Sequence, residues 1–224
     1  MNHLGAPHQF LGDVLPADFR AEIFSLVDAA WCRVKCPHDI RFEPRITGLL
    51  QLAMIEEHES IYEADPPFDI REDVKIRDPI TGKESERMDL GIWLRQCYIK
   101  GQKPYFVFES KKLNISRVGV LDSNVHDYAG PEGLGHLLAG GYHSSHDRSG
   151  MIAFVMDGNI STAKQSVEKQ LDRKADELRL LGAAKIHPSA LMPKGSPHGE
   201  THHTSGGQTS VIFHMFLAVS RSRR

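Results

Sequence analysis

The segment Tyr105–Asn114, YFVFESKKLN, decides the fold that we expect for this chain. Its first four residues are apolar and are typical of a buried strand. Because side chains alternate across a strand, Glu109 and Lys111 share one face and Ser110 points to the other. The charged residues therefore lie where the strand leaves the core, which is unusual for a strand whose only role is to pack in the core.

A second predicted strand, residues 87–94 (RMDLGIWL), carries Asp89 among apolar residues. The link between the two strands is short and polar, which suits an antiparallel pair. Pairing would bring Asp89 and Glu109 side by side, where two carboxylates repel and lose hydration. A divalent cation removes that cost, and hard oxygen ligands suit Mg²⁺. The backbone carbonyl of Ser110 is a further candidate ligand, and Lys111 can orient a water or stabilise charge on a phosphate.

The remaining periodicity predicts helices over residues 16–31, from Pro44 onward, near Pro131, and from a cap at Ser161 to Gly182. Further strands are expected at DIREDVKIRD, MIAFVMD and TSVIFHMFLAV, the last of them after a long polar loop. This order is typical of a mixed α/β or α+β protein with a central mixed sheet of about four to five strands flanked by helices. We interpret residues 1–224 as one domain, with a core at about 40–181, a helical extension at 1–39 and a C-terminal loop and strand at 182–224.

Composition narrows the class of protein. The 224 residues are 40% hydrophobic and 25% charged, which suits one globular domain. No apolar run is long enough for a membrane-spanning helix, and the first residues lack the pattern of a signal peptide. Three cysteines favour a reducing, cytoplasmic setting. The net charge of −2 gives no overall attraction to nucleic acid, so such binding would need a local basic patch.

Asp89, followed after nineteen intervening residues by Glu109-Ser110-Lys111, resembles the motif of the PD-(D/E)XK nuclease superfamily, the restriction-endonuclease-like fold. The resemblance implies a core of one helix, three mostly antiparallel strands, a helix and a further strand. It also implies a glutamate on the helix before the strands, for which Glu43 in FEPRITGLLQLAMIEE is the match and Glu56 and Glu57 are rivals. Met88 stands where many members have proline. The motif is short, so its specificity comes from structural context.

The resemblance implies a metal-dependent phosphodiesterase that acts on DNA, with Mg²⁺ as cofactor and Mn²⁺ as its substitute. Asp89, Glu109 and Ser110 would hold the metal, Lys111 would position or activate the attacking water, and Glu43 would tune the site. Many members belong to restriction, phage defence or DNA repair. A regulatory protein subunit or a homo-oligomer is the partner expected beside DNA, and no membrane is expected.

Simpler interpretations stay open at this point. Asp89, Glu109 and Lys111 would also suit a cross-strand ion pair on a surface strand. Glu43 would also be expected at the start of a helix without any role in a site, because a negative charge there interacts favourably with the helix macrodipole. A nuclease-fold subunit without turnover, which binds nucleic acid or a protein partner, is the alternative function.

Histidines elsewhere raise two other possibilities. Three of them fall in one predicted loop and a fourth in the next strand, without the firm spacing of a zinc site. Two cysteines close to a histidine near the N-terminus form at most an incomplete set of zinc ligands. Two loop histidines are also candidates for phosphate contact, as is the basic tail. The residues concerned are His198, His202, His203 and His214 for the loop and strand, Cys32, Cys36 and His38 near the N-terminus, and Arg221, Arg223 and Arg224 in the tail.

Overall fold

The computed structural model describes residues 17–36, 42–63, 67–77, 84–95, 105–117, 120–138, 149–205 and 208–219. It confirms the mixed α and β class. Within these ranges, no helix is both long and apolar enough to cross a membrane. The elements are α1 (Ala17–Arg33), α2 (Glu43–Tyr62), β1 (Phe68–Arg77), β2 (Glu84–Leu94), β3 (Tyr105–Leu113), β4 (Ile115–Arg117), β5 (Val120–Asp122), α3 (Val125–Tyr128), α4 (Leu134–Leu138), β6 (Ser149–Val155), α5 (Ile160–Arg173), β7 (Gly199–Ser205) and β8 (Gln208–Ala218).

Six strands form one open mixed sheet in the order β1-β2-β3-β6-β8-β7, and β4 and β5 form a separate pair. The first three strands are antiparallel neighbours, as predicted. Strand β6 then runs parallel to β3, and β8 runs parallel to β6. The link from β3 to β6 contains α3 and α4, and the link from β6 to β8 contains α5. Parallel neighbours need such long connections.

The predicted count of about four to five strands is wrong, because β7 adds a sixth strand to the sheet. Its sequence, GETHHTS, has no apolar alternation and lies in the segment that we predicted as a loop. Thr201 and His203 nevertheless point inward and are 1% and 0% exposed. Hydrogen bonds between their side chains replace apolar contacts, so a hydrophobic pattern could not reveal this strand.

The core has one layer on each face of the sheet. Helices α1 and α2 cover one face through residues such as Phe24 and Leu50, which pack with Phe106 of β3. Helices α3, α4 and α5 cover the other face, where Tyr128 and Val167 are buried. Residues 150–155 of β6 are all buried, as expected for a central strand covered on both sides.

The last helix has different ends from those predicted. Asn159, not Ser161, caps α5, and its side chain accepts a hydrogen bond from the Thr162 N–H at 3.1 Å. The helix ends at Arg173 rather than near Gly182. Beyond it, the chain turns so that the backbone at 179–181 pairs with β7 at 202–204. This tertiary pairing overrides the helical periodicity of the sequence.

Gly150 in β6 lies at a point where the core has no room for a side chain. Its register partners are Phe108 on one side and Phe213 on the other. A Cβ atom there would lie 2.8 Å from the Phe108 ring and 3.1 Å from the Phe213 carbonyl oxygen. We expect Gly150→Ala to lower the unfolding free energy by about 1–3 kcal/mol, because the ring must leave its packed position.

Gly48→Ala in α2 is the matched control for Gly150→Ala. The three atoms nearest to a Cβ at Gly48 belong to the end of the flexible Glu72 side chain. Alanine also favours a helix interior over glycine by about 1 kcal/mol. Urea unfolding should therefore show a loss for Gly150→Ala and no loss for Gly48→Ala. Equal stability of the two variants would contradict this account of the core.

Candidate functional site

The site is located where β3 continues beyond its pairing with β2. The ladder between these strands runs from Trp93↔Tyr105 to Leu90↔Phe108 and stops there. In the same register, Asp89 and Glu109 form the next pair of positions. The two carboxylates therefore stand at the fork between the strands.

Asp89 takes the place of a strand partner for Ser110. Its Oδ2 accepts hydrogen bonds from the Ser110 N–H at 2.7 Å and from the Ser110 hydroxyl at 2.8 Å. Burial raises the pKa of the Asp89 carboxyl, and the charge of Glu109 raises it further. The two bonds from Ser110 and the charge of Lys111 oppose these effects without cancelling them. Asp89 is thus a carboxylate whose charge is only partly compensated by the protein.

Lys111 connects the acidic residues of the site. Its Nζ lies 2.7 Å from Glu109 Oε1 and 3.6 Å from Glu43 Oε1. The side chains of Lys111 and Glu109 are 13% and 8% exposed, so this ion pair is mostly shielded from water. Burial alone lowers the pKa of Lys111, but the charges of Glu109, Glu43 and Asp89 outweigh burial and raise it. The ammonium is therefore held in its charged form.

Glu43 joins the cluster from the start of α2, where Pro44 occupies the first turn. Its Oε2 accepts a hydrogen bond from the Lys112 N–H at 2.7 Å. Burial raises the pKa of the Glu43 carboxyl, which Lys111 and the Lys112 N–H partly offset. The rival Glu57 instead pairs with Arg33 at 2.6 Å, and Glu56 is exposed. The structure thus brings Glu43 to the predicted residues of β2 and β3.

Ser110 points away from Glu109 and Lys111, as the alternation of the strand predicts. Its hydroxyl lies 2.9 Å from the hydroxyl of Thr47 on α2. Its N–H points to Asp89, and the carbonyl of a strand residue points to the same side as its N–H. The Ser110 carbonyl is therefore directed to the fork where the two carboxylates stand.

Sequence reasoning missed two members of this neighbourhood. Thr47 lies one helical turn after Glu43, a spacing that could have identified it. His136 of α4 places its Nδ1 3.9 Å from Glu109 Oε2, and its side chain is 30% exposed. Nothing in the glycine-rich segment around His136 predicts that approach, because it depends on how α4 packs on the sheet.

The histidines proposed for zinc have other partners. His198 is bonded through Nε2 to Asp28 at 2.7 Å and through Nδ1 to the Phe216 N–H at 3.0 Å. His203 and His214 likewise use both ring nitrogens on protein groups. In the described part of the chain, no three His, Cys, Asp or Glu side chains form a group that could hold a metal ion. Cys32 and Cys36 are free thiols, and His38 lies outside the described residues.

Direct phosphate contact by His203 is wrong, because this residue is fully buried. His202 is half-buried and lies 3.1 Å from Glu200 through its Nε2. The tail residues Arg221, Arg223 and Arg224 lie outside the described residues.

His203 and His214 belong to a buried hydrogen-bond chain with one consistent direction. The Leu178 carbonyl can only accept, so His203 carries its proton on Nδ1 and accepts from the Thr201 hydroxyl on Nε2. Thr201 then accepts from His214 Nε2, and His214 Nδ1 accepts from the Tyr128 hydroxyl. This direction holds for neutral rings, the form that burial favours by lowering the pKa of both histidines.

The buried hydrogen bonds of His203 and His214 predict that the folded protein loses stability in acid. Burial lowers the pKa of His214 to about 3, and burial also lowers the pKa of His203. Unfolded histidine titrates near 6.5, so below that pH the unfolded chain binds protons that the folded chain excludes. We expect His214 to remove about 1.4 kcal/mol of stability per pH unit as the pH falls below about 6, and His203 to add to that loss.

Urea unfolding between pH 7.5 and 4.5 measures this slope. His214→Gln should reduce the slope, because it removes one of the buried histidines whose pKa is lowered in the folded protein. His58, whose pKa burial lowers to about 4, contributes equally to the wild type and the variant. His202→Gln is the control, since His202 is a half-buried residue of β7, next to His203, that lies outside the chain of hydrogen bonds. An unchanged slope in His214→Gln would contradict the assignment.

No protein-family model, no curated protein and no solved structure matches this chain. The function is therefore inferred from the geometry of the site.

Proposed function

We propose that this chain is a metal-dependent nuclease that hydrolyses phosphodiester bonds in DNA. The observation that carries the proposal is the convergence of Asp89, Glu109 and Lys111 at the fork between β2 and β3, with Glu43 joining from α2. The order of elements also supports it: one helix, three antiparallel strands, two short helices and a strand parallel to the third. This order is similar to the one that the PD-(D/E)XK resemblance implies, apart from the β4–β5 pair after β3 and the two short helices where the resemblance has one helix.

The charge of the site suits a divalent cation. Three carboxylates and one ammonium leave the group of Glu43, Asp89, Glu109 and Lys111 with a net charge of −2 when all are ionised. Burial and the charge of Glu109 raise the pKa of Asp89, so both disfavour its ionised form in the absence of a cation. Added positive charge between Asp89 and Glu109 would relieve their repulsion.

The donor atoms fit Mg²⁺ or Mn²⁺ better than a closed zinc site. Asp89 and Glu109 would hold the ion, the Ser110 carbonyl is directed to the same place, and water would complete the set, as Mg²⁺ allows. When bound, the ion would supply a Lewis acid for a phosphoryl oxygen and lower the pKa of a water. Manganese is the expected substitute because it accepts the same oxygen ligands.

Lys111 and Glu43 would have separate roles in the reaction. The Lys111 ammonium, held by Glu109 and Glu43, would orient the attacking water and stabilise negative charge that grows on the phosphate. Glu43 would keep Lys111 charged and fix its position. The Lys112 N–H holds Glu43 in turn, so this arrangement exists before substrate arrives.

One observation favours the alternative of a subunit without turnover. The Asp89 and Glu43 carboxylates satisfy the N–H groups of Ser110 and Lys112, which lie beyond the end of the β2–β3 ladder. Both acids would have this structural role in a protein that only binds nucleic acid or a protein partner. Such a protein has no need to bind a divalent ion at Asp89.

The test is cleavage of supercoiled plasmid, linear duplex and single-stranded DNA by the purified protein with Mg²⁺, Mn²⁺ or a chelator. We expect cutting that requires the ion and that falls by at least about 100-fold in Glu109→Gln. Glu200→Gln on β7 is the matched control, because it removes a carboxylate remote from the fork between β2 and β3. Intact DNA in every condition, together with absence of Mn²⁺ binding, would contradict the proposal. Mn²⁺ binding without cleavage would favour the silent subunit.

A further inference from the structure

Two buried hydroxyl groups form a chain that ends on Asp89. Thr47 is 2% exposed and Ser110 is 0% exposed, and their oxygens lie 2.9 Å apart. The Ser110 hydroxyl donates to Asp89 Oδ2 at 2.8 Å. A buried hydroxyl without a partner is costly, so this pair is a specific arrangement and not a surface contact.

The donors in this chain follow from counting protons. Each hydroxyl has one proton, and the proton of Ser110 goes to the carboxylate of Asp89. The 2.9 Å contact is then a hydrogen bond only if Thr47 donates to Ser110. Thr47 also donates to the Glu43 carbonyl one turn earlier in α2, at the longer distance of 3.2 Å, so its one proton is shared between two acceptors of which Ser110 is the nearer. Thr47 is therefore the first donor, and Asp89 is the final acceptor.

The geometry points to Thr47 as a positioning residue that orients Asp89 for a divalent cation. The two bonds from Ser110 both fall on Oδ2, so they fix the carboxylate while Oδ1 takes part in neither. The hydroxyl of Thr47 holds the Ser110 side chain in the rotamer that makes one of these bonds. The small Mg²⁺ ion demands closely defined ligand positions, so a freely turning carboxylate would bind it less well.

Thr47 also ties this orientation to the position of α2. The helix turn from Glu43 to Thr47 contacts Lys112 through the Glu43 carboxylate and Ser110 through the Thr47 hydroxyl. One turn of α2 thus contacts the segment of β3 that binds both acids: Lys112 binds Glu43 directly, and Ser110 binds Asp89. This inference rests on the proposed function, because it presumes that the site binds a metal ion.

The test is Mn²⁺ binding measured by electron paramagnetic resonance, which needs no turnover, with thermal unfolding in parallel. Thr47→Val removes the hydroxyl and keeps the branched shape, and we expect about tenfold weaker Mn²⁺ binding. Thr47→Ser keeps the hydroxyl and should bind Mn²⁺ within about twofold of the wild type. Ile46→Val, a truncation at the adjacent buried position, should lower the unfolding temperature and leave Mn²⁺ affinity unchanged.

The outcomes separate the two proposals. A wild type that binds Mn²⁺ and cuts DNA, with Thr47→Val binding equally well, would overturn the positioning role and leave the nuclease intact. A wild type that neither binds Mn²⁺ nor cuts DNA would overturn both. If Thr47→Val does not fold, Ser110→Ala gives the same decision. It removes the hydroxyl bond to Asp89, keeps the Ser110 N–H, and should also weaken Mn²⁺ binding.

Discussion

Lys111→Met should lose DNA cleavage by about 10²–10³-fold or more. Methionine preserves the length of the side chain and removes the ammonium that lies 2.7 Å from Glu109 and 3.6 Å from Glu43. Without that charge, nothing at this position would orient the attacking water or offset the charge growing on the phosphate. The rate of plasmid cleavage with saturating Mg²⁺ measures the loss.

Stability gives a second readout for Lys111→Met. Removing one partner of a shielded ion pair leaves a charge without compensation, which costs about 3 kcal/mol in comparable sites. We expect the metal-free variant to unfold at lower temperature and to recover part of that loss when Mn²⁺ is added, because the ion compensates Glu109. Lys112→Met is the control, since it keeps the backbone N–H that holds Glu43. A folded Lys111→Met variant that cuts at the wild-type rate would contradict the proposed role.

Asp89→Asn should abolish the rise in unfolding temperature that Mn²⁺ gives the wild type, while the metal-free variant stays as stable or becomes more stable. Burial and the charge of Glu109 both disfavour the ionised Asp89 in the folded protein. Neutralising it removes that cost, and the asparagine oxygen can still accept from Ser110. We therefore expect the metal-free variant to unfold at the same urea concentration as the wild type or at a higher one.

The same variant distinguishes a metal ligand from a structural carboxylate. An acid whose role is to accept the N–H and hydroxyl of Ser110 makes charge-assisted bonds that asparagine would weaken. If Asp89 had only this structural role, Asp89→Asn would be less stable than the wild type. In the wild type, Mn²⁺ at about 100 times its dissociation constant should add about 2.7 kcal/mol. A destabilised Asp89→Asn, or a wild type that does not respond to Mn²⁺, would contradict the metal assignment.

Much of the site could be predicted because it lies on regular strands. Alternation alone places Glu109 and Lys111 on one face, and the antiparallel pairing of β2 and β3 brings Asp89 to Glu109. The glutamate of α2 was harder to choose, because three acids of one helix compete and only packing decides between them. Glu43 reaches the site because α2 begins beside β3, whereas Glu57 faces Arg33 of α1.

The parts that sequence could not reveal depend on contacts across the fold. Strand β7 buries polar side chains, so its stability comes from the hydrogen-bond chain through Thr201 and not from apolar alternation. Likewise, α5 stops at Arg173 because the following residues pair with β7. His136 joins the site through the packing of α4, which leaves no local pattern in the sequence, whereas Thr47 follows Glu43 by one helical turn.

The central claim is that Asp89 and Glu109 share a divalent cation at the fork between β2 and β3. Anomalous diffraction from a crystal soaked in Mn²⁺ tests it most directly. The account predicts one or two peaks within bonding distance of both carboxylates, and their loss in Asp89→Asn crystals soaked in the same way. A well-ordered wild-type site without a peak, or with Mn²⁺ bound only elsewhere, would contradict it.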